Sequence, residues 1–153
     1  MTNRDDLAAL QAALAAEHAT TYGYGVVGAL LPGNEQGTAL SDWTLHQHAR
    51  DALTEMITRL GAIPVAASAA DKLPFPVTDA ASARRLAAII EDGVTRAYLG
   101  IVAVTDARLR TFGALAMQQP ASRASAWRGT TTAFPGMTGN PPAPAILPAT
   151  TNP

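Results

Sequence analysis

The sequence predicts an all-α protein, a four-helix bundle with a long crossover between its second and third helices. Three observations carry that prediction. Apolar residues recur at alternating steps of three and four in four separate stretches, glycines and prolines fall between the stretches, and no run alternates apolar with polar as a half-buried strand would. At 153 residues the chain has the length of one domain and can bury a sizeable core without covalent staples.

In the first stretch, from Asn3 to Leu31, the seam runs Leu7, Leu10, Leu14, Glu17, Thr21, Tyr24, Gly28, Leu31, with Thr2 and Asp5 forming a capping box at its start. Pro32-Gly33-Asn34-Glu35-Gln36-Gly37 combines a helix breaker, two glycines and an asparagine, and reads as the turn that reverses the chain. A second helix is expected from a cap at Thr38 or Ser41 to Leu60. Its seam is His46, Ala49, Leu53, Met56 and Leu60, with Gly61 and then Pro64 stopping it. Gly61 to Val77 holds Pro64, Pro74 and Pro76 and no helical period, so it is an extended connection long enough to cross the bundle.

Thr78 or Asp79 caps the third helix, which runs to about Val104 with Ala87, Glu91, Val94, Tyr98 and Ile101 on one face. Thr105 or Asp106 starts the fourth, with Leu109, Phe112, Ala116, Gln119, Arg123 and Ala126 in register and an end near Trp127-Arg128-Gly129. Pro120 must kink or restart it. Residues 1–129 therefore read as the bundle. Residues 130–153 carry no charge and hold Pro135, Pro141, Pro142, Pro144, Pro148 and Pro153, which predicts a disordered tail. Four helices with two short connections and one long crossover form the ferritin-like arrangement of a bundle.

Composition narrows the function. Apolar residues make up 48% of the chain and charged residues 15%, with a net charge of -1, so neither a disordered chain nor an electrostatic nucleic-acid binder is expected. The absence of cysteine removes disulfides, thiolate nucleophiles, zinc fingers and iron-sulfur ligation, leaving oxygen and imidazole as the donors for any metal. Glu17, Arg50, Glu55, Glu91, Asp92 and Arg96 interrupt every run that could approach a bilayer span, and the N-terminus leads into an amphipathic segment rather than an apolar signal core. A soluble, cytoplasmic protein with no membrane partner is the expectation. No phosphate loop or nucleophile elbow occurs, and the three histidines suggest no triad.

Ala16-Glu17-His18-Ala19 through Tyr22-Gly23-Tyr24-Gly25, then His46 to Leu53, then Leu73-Pro74-Phe75-Pro76-Val77-Thr78-Asp79, resemble an uncharacterised ferritin-like domain family found mainly in actinobacteria. The similarity spans about Leu7 to Arg128, and the Leu-Pro-Phe-Pro-Val segment is its most specific part. The resemblance implies a ferritin-like fold and no activity, since the family has none assigned.

Ferritin-like di-metal proteins place carboxylates on all four helices, with Glu-x-x-His pairs on two. Here Glu17 on the first helix, His46 on the second and Glu91 on the third fall on inward seams and are the candidate metal ligands, for iron, manganese or zinc. Half of the usual set is missing. Trp43 stands three residues before His46 where a glutamate belongs, and the fourth helix offers Gln119, Ser122 and Arg123. A buried polar cluster in which Arg123, His46 or a proton neutralises the two glutamates is the leading expectation, because an unpaired buried carboxylate is costly. The protein is then a non-enzymatic binding or interaction module with an incomplete di-metal site. The competing reading is a metal-binding oxidase or metal-storage protein using Glu17, His46 and Glu91.

Among the remaining candidates, His18 is expected to flank the seam, bonded to a neighbouring helix, and His48 to sit in solvent beside Glu55 and Arg59. Tyr22, Tyr24 and Tyr98 lie near the seam as packing residues. Gly23, Gly25, Gly28 and Gly93 cost helix stability at about 1 kcal/mol each and call for close helix approach, within the chain or along a homodimer contact that Trp43 could fill. In the tail, Ala145-Ile146-Leu147 between Pro144 and Pro148 has the form of a docking peptide for a protein partner.

Overall fold

A computed structural model describes residues 4–69 and 72–137. Among them the elements are α1 (Arg4–Leu30), α2 (Gly33–Arg59), α3 (Ala80–Val102), α4 (Ala107–Ala116) and α5 (Gln118–Arg128), with no strand. The chain is an all-helical bundle in which α4 and α5 together take the fourth place. None of the described helices is long and apolar enough to cross a membrane.

The reversal between α1 and α2 is tighter than the sequence suggests. Gly33 opens α2 with φ of 56°, and the expected turn residues Asn34 to Gly37 are already helical. The reason is tertiary: Glu35 in the first turn of α2 accepts two hydrogen bonds from the Arg84 guanidinium of α3, both at 2.7 Å, and this pins the early start. Asp79 caps α3 through a reciprocal box with Ser82, and Asp106 caps α4 by accepting from the amides of Arg108 and Leu109. Gly129, with φ of 76°, closes α5 in the left-handed conformation. Thr2 lies outside the described residues.

The crossover is held by side chains of α1 that read its backbone. Gln11 donates to the Ile63 carbonyl at 2.7 Å and accepts from the Val65 amide at 2.8 Å. His18 Nε2 lies 3.1 Å from the Val65 carbonyl, so its partner is the crossover and not a neighbouring helix. Further on, Leu73, Phe75 and Val77 pack into the end of the bundle, which explains the apolar residues interleaved with prolines there.

Pro120 restarts the fourth helix rather than kinking it. The break falls at Met117, and Pro120 sits in the first turn of α5, where its missing N–H leaves no hydrogen bond unmade. The restart changes which residues face inward: Gly113, Pro120 and Ala124 are buried, while Gln119 and Ala126 are exposed. Gly113 also marks the real close approach. A Cβ there would lie 2.9 Å from both Ile101 Cβ and the Tyr98 carbonyl oxygen. By contrast, Gly25, Gly28 and Gly93 have open space where a Cβ would stand, so intramolecular packing does not require them.

Two apolar clusters fill the ends of the bundle. One gathers Leu10, Leu14, Leu53, Ile57, Val94, Tyr98 and Ile101, and the other Tyr24, Val27, Leu31, Ala39, Leu86, Ala87 and Ile90. Trp43 and Trp127 pack on the second cluster. After α5, Arg128 bonds Asp92 and donates to the Thr132 hydroxyl, and Gly136 rests against Thr95 and Arg96 of α3. The first residues of the expected tail thus turn back onto α3; Ala145-Ile146-Leu147 lies outside the described residues.

Candidate functional site: a polar layer between two apolar ends

Buried polar residues are concentrated between the clusters. Glu17, Asp42, His46 and Glu91 are all buried there, with Arg123 reaching in from α5 at 15% side-chain exposure. The inward seams of α1, α2 and α3 deliver the first four, and Arg123 projects from the restarted fourth helix. Glu17, His46 and Glu91, the three residues singled out in the sequence, do meet. His46 Nδ1 lies 2.6 Å from Glu17 Oε2 and its Nε2 lies 3.0 Å from Glu91 Oε1.

The protonation state follows from that geometry. Burial pushes the imidazole pKa down, but hydrogen bonds and charge from Glu17 and Glu91 outweigh it and hold the pKa at about 9. At neutral pH His46 is an imidazolium donating one N–H to each glutamate. Burial likewise pushes Glu91 up, and His46 and Arg123 reverse it, so the carboxyl stays below its ordinary range and ionised. Arg123 Nε donates to Glu91 Oε1 at 2.7 Å. Its Nη2 lies 3.3 Å from His46 Nε2, a contact between two cationic groups that is tolerated because both donate to the same carboxylate oxygen.

Two tyrosines complete the layer. Tyr24 of α1 donates to Glu91 Oε1 of α3 at 2.6 Å, and Tyr98 of α3 donates to Glu17 Oε1 of α1 at 2.8 Å. Burial and the adjacent carboxylates push both phenols far above their ordinary range, so they remain protonated donors. The arrangement is reciprocal. Glu17-x6-Tyr24 and Glu91-x6-Tyr98 have the same spacing on antiparallel helices, so each tyrosine meets the glutamate of the other helix. The matched spacing was the available signal that these tyrosines do more than pack. Tyr22, two residues from Tyr24, is 43% exposed and takes no part.

Asp42 is the member that the sequence reading missed. It lies four residues before His46 and therefore on the same helix face, whereas the Glu-x-x-His pattern directs attention to position 43. Its Oδ2 accepts from the Trp127 indole at 3.1 Å and lies 3.2 Å from the Tyr24 hydroxyl, whose one proton goes to Glu91. Burial and then Glu91 raise its pKa, against the lowering effect of Arg123, Trp127 and Tyr24. Trp43, at position 43, instead donates its indole N–H to the Thr21 carbonyl at 3.1 Å. His48 is exposed, and Asp51 beside it pairs with Arg50.

As arranged, the donors do not present a metal cradle. Both imidazole nitrogens face carboxylates, both Glu17 oxygens are engaged, and a guanidinium covers Glu91. Among the described residues no three His, Asp or Glu side chains are disposed to hold a metal ion. Glu91 Oε2 is the exception to this saturation, being buried without a hydrogen-bond partner.

These features define a helical-bundle domain built around a layer of compensated buried charge. The family described as a domain of unknown function, DUF4439, matches residues 9–139, and the chain belongs to it. The match runs past Arg128 and takes in the segment that folds back on α3. A crystal structure of a conserved hypothetical protein, rv2844, from Mycobacterium tuberculosis is similar to this chain at 35% identity and a TM-score of 0.80, over 84% of this chain and 98% of that one. Comparison with curated proteins finds no match.

Proposed function

We propose that this domain is a ferritin-like bundle acting as a non-enzymatic, cytoplasmic binding or interaction module, in which protein cations stand where a di-metal centre would place its ions. One observation carries the reading: His46 bridges Glu17 and Glu91 through both ring nitrogens while Arg123 donates to Glu91. Two buried carboxylates are thereby balanced by two protein cations, and a divalent ion entering the layer would meet both.

A second reading, a metal site for iron, manganese or zinc on Glu17, His46 and Glu91, is favoured by the unpartnered Glu91 Oε2. It requires the imidazole to lose a proton and Arg123 to swing away. Elemental analysis of protein purified without an affinity-metal step, before and after adding ferrous iron or manganese, separates the two. The proposed module stays free of stoichiometric metal; near-stoichiometric metal that disappears in both Glu17→Ala and Glu91→Ala would establish the second reading instead.

A further inference from the structure

α2 packs on α1, and α4 and α5 pack on α3, but the backbones of α2 and the α4–α5 arm stand apart. The gap between them is a cleft of about 270 Å³ leading down to the polar layer. Its walls are largely apolar, Leu45, Ala49 and Ala52 from α2, Phe112 and Ala116 from α4, and Pro120 at the start of α5, with Gln119 as their polar member. This is space on the order of nine water-sized groups at roughly 30 Å³ each. Its floor is charged.

The hydrogen-bonding capacity left on that floor selects the ligand. Glu17 accepts from Tyr98 and His46 with one oxygen each, His46 donates from both nitrogens, and the Tyr98 hydroxyl is committed to Glu17. Arg123 uses Nε on Glu91 and brings Nη2 toward His46, whereas Nη1 makes no hydrogen bond among the described residues and is not enclosed. The floor facing the cleft is thus two cations and one carboxylate with both oxygens engaged; Glu91 and Asp42 do not line it. A guanidinium donor open to the cleft, under largely apolar walls, matches a ligand with an acceptor head and an apolar body.

We infer that this cleft binds a small aliphatic carboxylic acid, its carboxylate on the Arg123 guanidinium and its chain along Ala49, Ala52 and Phe112. The inference deepens the binding-module reading and rests on its metal-free polar layer. It is tested on the full chain, treated with chelator and verified metal-free, by calorimetric titration with straight-chain acids from butanoate to dodecanoate and with octanol.

Saturable one-site binding is expected, strongest in the middle of the series, at least about tenfold weaker for octanol than for octanoate. Ala52→Phe and Ala49→Leu, which narrow the cleft from its walls and leave the polar layer intact, are expected to weaken octanoate by at least about tenfold. Absence of saturation by every acid overturns the inference, as does binding equal for octanol or untouched by both wall variants. Self-association abolished by Ala52→Phe would assign the cleft to a second copy and also overturn it. Stoichiometric metal in the protein as purified would instead count against the module reading, which the titration of the metal-free sample judges separately.

Discussion

The two apolar ends of the bundle and the polar layer between them are buried alike but held together by different physics. At the ends, Leu10, Leu14, Ile57 and Leu86 have no exposed surface and gain by leaving water. In the layer, Glu17, His46 and Glu91 are buried to the same degree at a desolvation cost that only their mutual pairing offsets. An end tolerates a lost methyl group in proportion to the cavity left behind. The layer responds instead according to which charge is left uncompensated, because each of its charges is balanced by another.

The largest expected effect is that of His46→Ala, which leaves Glu17 and Glu91 buried without their shared cation and should cost about 3–5 kcal/mol in denaturant unfolding. A loss below about 1 kcal/mol would show that the layer does not depend on the imidazolium. Leu14→Ala at an apolar end should cost about 3 kcal/mol, with the ordinary additivity of a distant core site when combined with layer variants beyond contact range.

Within the layer, Arg123→Ala should destabilise by about 2–3 kcal/mol because Glu91 loses a charge-assisted partner. Glu17→Gln, which keeps the shape and one acceptor for Tyr98, should cost about 1 kcal/mol. The reverse ranking of these two would contradict compensation by the guanidinium.

The most gradual effect is that of pH. His46 has a folded-state pKa raised from 6.5 to about 9, so its contribution is whole below about pH 6.5 and is lost as pH rises through about 9. Glu91, held below its ordinary range, acts in the opposite sense: its contribution is present above that range and is lost on acidification. The raised pKa of Asp42 works against Glu91, its contribution being lost as pH climbs through the acidic range. Unfolding free energy should therefore decline on the alkaline side between about pH 6.5 and 9, and that decline should be missing in His46→Gln. An unchanged alkaline slope in His46→Gln would place the titrating group elsewhere.

How much of this was legible in the sequence differs between the same two regions. The ends were readable because burial of apolar seams depends on helical period alone, and Leu10, Leu14, Leu53, Val94 and Ile101 all fall where the period puts them. Glu17, His46, Glu91 and Arg123 were readable as inward positions on four helices. Their partners were not. Asp42 was hidden because Asp and Glu four residues from a histidine are common on exposed helix faces, and Tyr24 and Tyr98 because buried bundle tyrosines ordinarily pack. The glycines misled in the other direction: Gly25 and Gly28 face open space, while Gly113 meets Ile101. Which glycine is crowded depends on the approach of another helix, a distance that no single helix encodes.

By itself the sequence determined the helical class, the cap positions of the third and fourth helices to within one residue (Thr78 or Asp79, Thr105 or Asp106), the long extended crossover and the placement of charged residues on inward seams, because each depends on neighbours within a few positions along the chain. Only the tertiary structure decided that α2 begins at Gly33 through the Glu35–Arg84 pair, that Pro120 restarts the fourth helix, and that each tyrosine donates to the glutamate of the opposite helix. Those outcomes depend on groups tens of residues apart meeting at hydrogen-bonding distance. The charge state of the layer depends on the same convergence, since desolvation and pairing act on a carboxylate only after the bundle has closed around it.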